Sequence, residues 1–212
     1  MLKVGVLISG RGSNLQALID AAHAPDYPAK ITCVISNVPD APGLIRARAA
    51  NIPVETIDHR AFKSREAFEQ ALDKKLTKYG VELVCLAGFM RLLTPRFVTN
   101  WRDRLINIHP SLLPAFPGLD THKKALAAGM KTSGCTIHFV RPEMDHGPII
   151  AQMEVPVLPG DTEESLAARV LEAEHKAYPE VVRLIAEGHV NIHEEQVFIG
   201  GDSALAKSVA VP

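Results

Sequence analysis

Short apolar runs alternate with segments of helical periodicity along most of the chain. The apolar runs have the length of strands, and they lie at residues 4–9, 31–36, 54–57, 81–87, 105–109, 135–140 and 148–158. The segments between them follow the spacing of amphipathic helices, and they lie at residues 15–22, 44–50, 62–79, 121–130 and 161–187. This alternation predicts an α/β fold with right-handed crossovers between parallel strands. We expect a single Rossmann-like, doubly wound, mostly parallel sheet with helices on both faces.

No repeat, low-complexity segment or linker-like stretch divides the 212 residues. Because this length suits one large domain, we expect a single domain over residues 1–200. Residues 201–212 show no periodicity, and we expect this tail to be disordered.

Charge and cysteine content exclude several classes of function. Lys and Arg total 23 against 24 for Asp and Glu, so the chain lacks the basic excess of a nucleic-acid or membrane-surface binder. No apolar stretch approaches the ~20 residues of a membrane span, and the N-terminal apolar run is too short for a signal peptide. The spacing of Cys33, Cys85 and Cys135 fits neither a zinc cluster nor a disulfide framework. We expect a cytoplasmic protein with no nucleic-acid partner, no membrane partner and no metal.

A glycine-containing loop, Ser9-Gly10-Arg11-Gly12-Ser13-Asn14, joins the first predicted strand to the first predicted helix. Backbone amides at a helix N-terminus suit a phosphate group. No Gly-Lys-Ser/Thr follows, so the loop is not a Walker A motif, and Leu15 replaces the third glycine of a dinucleotide fingerprint. A tight turn capped by Ser13 or Asn14 explains the same residues, and both interpretations stay open.

A second segment places an amide and an imidazole at the end of a predicted strand. Asn107 and His109 are two residues apart, so they lie on the same face of that strand. Such a pair can bind a developing oxyanion and move a proton. The alternative is that His109 is a buried, hydrogen-bonded histidine with a structural role only.

Two further loops are candidates for ligand binding. Asp145, in the segment 141–148, could orient or protonate His109, although Asp-x-Gly-Pro is also simply a good turn. Residues 86–93 could form an apolar wall with one arginine for an aromatic ligand. A core strand followed by the start of a helix is the other interpretation of that segment.

Together these segments resemble the phosphoribosylglycinamide formyltransferase family, the folate-dependent enzymes of purine synthesis. The matching stretches follow the family's order over about the first 190 residues, and they are residues 9–14, 86–91, 107–118, 134–140, 144–150 and 174–179. The Asn-Ile-His-Pro-Ser-Leu-Leu-Pro run alone would indicate only an enzyme that uses formyltetrahydrofolate. His146 departs from the family, because a small residue is common there.

The resemblance implies a formyltransferase domain with 10-formyltetrahydrofolate as co-substrate, glycinamide ribonucleotide as substrate and no metal. It implies that the catalytic residues are Asn107, His109 and Asp145. It implies ribonucleotide binding by Gly12, Ser13, Asn14, Leu171, Glu172, Ala173 and Glu174. It implies folate binding by Arg65, Met90, Arg91, Leu92, Leu93, Asn107, Arg141, Pro142, Glu143, Met144 and Asp145. It also suggests a cis peptide bond at Leu113-Pro114.

Three other functions remain as alternatives. A 10-formyltetrahydrofolate hydrolase would pass the formyl group to water, but such enzymes carry a regulatory domain ahead of this segment, and here the first strand begins at Lys3. A methionyl-tRNA formyltransferase would need a basic C-terminal domain, for which the chain has neither the length nor the charge. A phosphate-binding module without catalysis is the third. For the oligomeric state, monomer and homodimer both stay open.

Overall fold

The structure is a computed structural model and describes residues 1–200. Its strands are β1 (Leu2–Ile8), β2 (Ala29–Ser36), β3 (Val54–Thr56), β4 (Leu83–Leu86), β5 (Leu105–His109), β6 (Thr132–Phe139), β7 (Ile149–Pro156), β8 (Val190–His193) and β9 (Gln196–Ile199). Its α-helices are α1 (Ser13–Ala22), α2 (Gly43–Ala49), α3 (Arg65–Lys78), α4 (Pro95–Asn100), α5 (Thr121–Ala127) and α6 (Glu163–Ala186). A 3₁₀ turn covers His59–Ala61.

The sheet has seven strands in the order β3-β2-β1-β4-β5-β6-β7, and β8 and β9 form a separate hairpin. The pairs β1–β2, β1–β4, β2–β3 and β4–β5 are parallel, whereas β6 and β7 are antiparallel. The prediction of a mostly parallel α/β sheet is therefore confirmed. The described residues include no helix that is long and apolar enough to cross a membrane.

The chain forms two compact units, and the boundary between them falls inside β5, after Asn107. In the first unit, the central strands β1 and β4 are almost wholly buried, as expected of parallel strands with both faces covered. The chain runs from β1 to β2 and β3 on one side of β1 and then returns to its other side as β4. The direction of strand addition thus reverses at β1.

The second unit begins at Ile108 and contains β6, β7, α5, α6 and the hairpin. Helix α6 begins with a capping box, in which Thr162 accepts from the amide of Ser165 and the Ser165 hydroxyl accepts from the amide of Thr162. The β8–β9 hairpin has a two-residue turn of Glu194 and Glu195, both with positive φ. Paired positive φ values are typical of type I′ hairpin turns, although glycine or asparagine usually supplies them.

Several boundaries differ from the sequence predictions. The helix predicted from residue 62 begins at Arg65, because Ser64 caps it by accepting from the amide of Ala67. Helix α4 was not predicted, although Thr94 and Pro95 are a helix-start signal. The peptide bond Leu113-Pro114 is cis, as predicted. The predicted disordered tail, 201–212, lies outside the described residues, and the single domain over 1–200 stays a prediction.

Candidate active site

In the first unit, the carboxyl ends of β1 and β4 lie side by side where the strand order reverses. In open α/β sheets, ligands bind outside the strand ends at such a switch point, because the connections on the two sides diverge there. The loop after β1 contains Gly12, and the loop after β4 contains Met90 and Arg91. Both of the first unit's predicted ligand-binding loops are therefore at this edge of the sheet.

The turn before α1 requires glycine at position 12. Gly12 is the N-cap of α1 and has φ +70, and a Cβ on it would lie 2.7 Å from Cα of Gly43. The amide of Gln16 donates to the Gly12 carbonyl, which is the first i to i−4 hydrogen bond of the helix. The amides of residues 13–15 lie ahead of this bond, in the first turn. The first turn contains no acidic residue. This helix end is chemically suited to an anion.

Ser9 links three strand ends of the first unit. Its hydroxyl donates to Oδ1 of Asn37, 2.5 Å away, and accepts from the amide of Met90 at 2.7 Å. The side-chain amide of Asn37 in turn lies 3.2 Å from Nδ1 of His59. The sequence indicates no role for Ser9 within its loop, because its partners are 28 and 81 positions away. The network fixes the loops after β1 and β4 relative to each other.

The predicted folate-binding residues of the first unit are mostly exposed. Met90, Arg91 and Leu92 lie in the loop after β4, and Met90 and Leu92 have exposed fractions of 67% and 59%. Arg65 is exposed at the start of α3, and Leu93 is half-buried. Two large apolar side chains left in solvent next to an arginine are consistent with an apolar ligand surface.

In the second unit, His109 and Asp145 form a close, nearly buried pair. Nδ1 of His109 lies 3.7 Å from Oδ2 of Asp145, and the two side chains are 7% and 10% exposed. Nε2 of His109 donates to the carbonyl of Phe116 at 3.0 Å. A protonated His109 would therefore present its second N–H to the Asp145 carboxylate. Asn107 precedes His109 by two residues in β5.

Asp145 is held in place by its loop. The residue has φ 57, a conformation that aspartate tolerates better than most residues, and its Oδ2 accepts from the amide of Gly118 at 2.8 Å. Two residues later, a Cβ on Gly147 would lie 1.4 Å from the carbonyl oxygen of Phe139, so only glycine fits there. His146 is exposed, and its Nδ1 donates to the carbonyl of Met144.

A second histidine faces the same carboxylate. Nε2 of His138 lies 4.0 Å from Oδ1 of Asp145, and its Nδ1 donates to the carbonyl of Phe139. Burial lowers the pKa of His138 below its usual value, against opposing effects of the Phe139 carbonyl and Asp145. Burial also lowers the pKa of His122, and the charge of His109 adds to this lowering at both His122 and His138.

The loop after β5 is braced by side chains of β6 and β7. The hydroxyl of Thr136 donates to the carbonyl of Ser111 and accepts from the amide of Leu113. The side-chain amide of Gln152 donates to the carbonyl of Leu113 and to the Thr136 hydroxyl. Sequence reasoning missed Thr136, His138 and Gln152 as site-supporting residues. The first two lie in the stretch 134–140 that carries the family resemblance, which was the available signal.

The four predicted ribonucleotide-binding residues of α6 are not equivalent. Ala173 and Glu174 are buried, whereas Leu171 is half-buried and Glu172 is exposed. Burial, and next the charge of Glu174, raise the pKa of Cys135 to about 12. Burying a carboxylate costs free energy, so a carboxylate that is buried usually has a specific polar role. Glu174 is therefore a candidate for binding a polar group of the substrate.

The remaining predicted folate-binding residues surround Asp145 in the sequence. Pro142, Glu143 and Met144 are exposed. Arg141 is instead buried, and its guanidinium makes two contacts with the carboxylate of Glu195, in the hairpin turn. Within residues 1–200 there is no cluster of three or more His, Cys, Asp or Glu side chains that could hold a metal ion.

A sequence model of the formyl transferase family matches residues 2–182. The chain belongs to the formyl transferase family. The matched range contains every predicted site residue, from Gly12 to Glu174, and it ends before the β8–β9 hairpin.

Two curated relatives show how this formyl transferase domain occurs in other proteins. The chain is 46% identical over 200 residues to phosphoribosylglycinamide formyltransferase of Escherichia coli strain K12, with 94% of each sequence covered. It is 50% identical over 193 residues to the trifunctional purine biosynthetic protein adenosine-3 of Gallus gallus, with 91% of this chain and 19% of that protein covered. The chain thus spans about a fifth of the length of the trifunctional relative.

Solved structures of a transformylase and of a deformylase share the fold. Glycinamide ribonucleotide transformylase 1 from Symbiobacterium toebii is similar with a TM-score of 0.91 and 51% identity, and 94% of each chain is covered. A formyltetrahydrofolate deformylase from Pseudomonas syringae pv. tomato is similar with a TM-score of 0.88 and 26% identity, over 94% of this chain and 66% of that one.

Proposed function

We propose that this chain transfers the formyl group of 10-formyltetrahydrofolate to the amine of 5′-phosphoribosylglycinamide, in purine biosynthesis. The products are the N-formyl ribonucleotide and tetrahydrofolate. The observation that carries the proposal is the nearly buried pair of His109, at the end of β5, with Asp145, in a chain of this family. High identity to relatives named for the same reaction, over nearly their whole length, supports it.

His109 and Asp145 act on charge that develops during transfer. The amine attacks the formyl carbon, and negative charge builds on the formyl oxygen. Protonated His109 and the Asn107 side-chain amide stabilise this oxyanion, and Asp145 stabilises the imidazolium. One proton then moves from the attacking amine to the leaving folate nitrogen as the carbon–nitrogen bond breaks. For this role, Nε2 of His109 exchanges the Phe116 carbonyl, its partner here, for the formyl oxygen.

The two substrates use different parts of the chain. The amides at Gly12, Ser13 and Asn14 bind the ribonucleotide phosphate, since they lie at the N-terminus of α1, whose first turn contains no acidic residue. Residues Leu171–Glu174 bind the glycinamide end, with the buried Glu174 as its acceptor. The exposed Met90 and Leu92, with Arg65, Arg91, Leu93 and residues 141–145, bind the folate.

Product analysis tests the proposal. The chain is incubated with 10-formyltetrahydrofolate and 5′-phosphoribosylglycinamide, and the ribonucleotide is examined by mass spectrometry. A formylated ribonucleotide formed in equal amount to tetrahydrofolate supports the transferase. Free formate with unmodified ribonucleotide would instead indicate the hydrolase, which is less favoured because the deformylase shares 26% identity against 51% for the transformylase.

A further inference from the structure

The β8–β9 hairpin contains a strained turn that the family match does not include. Glu194 and Glu195 have φ values of 48 and 62, and the matched residues end at 182. Residues other than glycine, asparagine and aspartate rarely adopt positive φ, and such strain persists where surrounding contacts fix it. Two consecutive glutamates in this conformation therefore require a stabilising contact.

Glu195 makes that contact with a buried arginine 54 positions earlier in the chain. Its Oε2 accepts from Nε of Arg141 at 2.5 Å, and its Oε1 accepts from Nη2 at 3.3 Å. The Arg141 side chain is 6% exposed, whereas that of Glu195 is 49% exposed. Nη1 of Arg141 also donates to the carbonyl of Val140. The two-point geometry fixes the plane of the guanidinium as well as its position.

Arg141 is the first residue of the loop that carries Asp145. The other end of that loop is fixed by Gly147, which packs directly against the backbone of Phe139, and Asp145 itself is bonded to the amide of Gly118. The Arg141–Glu195 ion pair supplies the corresponding fixed point at the start of the loop. Glu195 thereby affects residues 141–145 from outside this loop, through its contact with Arg141.

We propose that Glu195 is a positioning residue, which holds Arg141 and so keeps the loop 141–147 in the conformation that binds the folate. This inference rests on the proposed function for its effect on catalysis, but the ion pair's effect on loop order does not depend on it. Glu195 acts through Arg141.

The test compares Glu195→Gln with Glu194→Gln. Both residues are exposed and share the turn conformation, but Glu194 takes part in no ion pair within residues 1–200. In Glu195→Gln we expect the KM for 10-formyltetrahydrofolate to rise about tenfold, the scale for losing a charged hydrogen-bond partner, with a much smaller change in kcat. We expect Glu194→Gln to match the unmodified chain. If the Gln variant does not fold, Glu195→Asn replaces it, because asparagine tolerates positive φ.

Amide hydrogen exchange in residues 141–147 is measured on the same variants without substrates. Faster exchange in Glu195→Gln alone supports the proposal. Equal exchange and equal KM in the two variants, or a loss of kcat with unchanged folate KM, would overturn it. If the unmodified chain transfers no formyl group, the proposed function fails, while the exchange measurement still decides the role of Glu195.

Discussion

At the scale of single residues, the site depends on how three side chains share charge. The Asp145 carboxylate lies 3.7 Å from Nδ1 of His109 and 4.0 Å from Nε2 of His138. Because burial holds the pKa of His138 low, that ring remains neutral near neutral pH. In the proposed mechanism, the Asp145 carboxylate therefore acts on His109 rather than on His138.

Replacing Asp145 with asparagine tests this arrangement. The change keeps the shape of the side chain but removes the charge that stabilises the His109 imidazolium. We expect kcat to fall by roughly 10²–10⁴, the usual contribution of an acid–base group, with much smaller changes in both substrate dissociation constants. Glu154→Gln, which removes an exposed carboxylate on β7, is the control. Near-normal kcat in Asp145→Asn would remove Asp145 from the mechanism.

The buried His138 also predicts how stability depends on pH. Its pKa is lower in the folded chain than in the unfolded chain, where the pKa of histidine is ~6.5. The unfolded state therefore binds a proton first as pH falls, so the free energy of unfolding decreases below about pH 6.5 and is fully retained above it. Denaturant unfolding between pH 5 and 8 measures this dependence.

The variant His138→Gln should show a weaker pH dependence over the same range, since one of the buried histidines is gone. His122, whose pKa is lowered too, contributes to the dependence that remains. An exposed histidine, changed in His23→Gln, serves as the control. If the free energy of unfolding changes with pH as steeply in His138→Gln as in the unmodified chain, His138 does not contribute to the pH dependence.

At the scale of elements, the start of α1 is defined by two glycines in contact. The close approach of Gly12 and Gly43 lets the turn pack against α2, where the amide of Gly43 also bonds the carbonyl of Gly10. Nε of Arg46 on α2 donates to the carbonyl of Arg11. The loop therefore has a fixed backbone before any ligand arrives, which lowers the entropic cost of binding a phosphate.

Gly12→Val should weaken ribonucleotide binding and leave folate binding nearly unchanged. A β-branched side chain resists φ +70, and its Cβ alone would lie 2.7 Å from Gly43. Both dissociation constants are measured by calorimetry. Gly160→Val is the matched control, because Gly160 also has positive φ (+83) but has open space around its Cβ position. Equal losses for both ligands in Gly12→Val would indicate a purely structural turn.

Local sequence signals predicted most elements, and contacts between distant residues could not be predicted. The apolar run at residues 81–87 predicts a buried strand from neighbouring residues alone, and β4 lies within that run and is buried throughout. The Ser9–Met90 and Arg141–Glu195 contacts join residues far apart in the chain, so no local pattern indicates them. Helix α4 has six residues, too few for a periodicity to be recognised.

At the scale of the whole molecule, the two compact units carry different parts of the proposed chemistry. The first contains the anion-suited start of α1 and the exposed apolar loop after β4. The second contains the His109–Asp145 pair and the buried Glu174. A His–Asp pair alone would serve hydrolysis as well as transfer. Binding of the amine substrate is what distinguishes the two reactions.

The rate of tetrahydrofolate formation, measured spectrophotometrically with and without 5′-phosphoribosylglycinamide, tests this central claim most directly. The same preparation and the same concentration of 10-formyltetrahydrofolate are used in both assays. We predict rapid, saturable formation of tetrahydrofolate that depends on the amine substrate, and little formation without it. A rate that is the same with and without the amine would contradict the account and identify water as the acceptor.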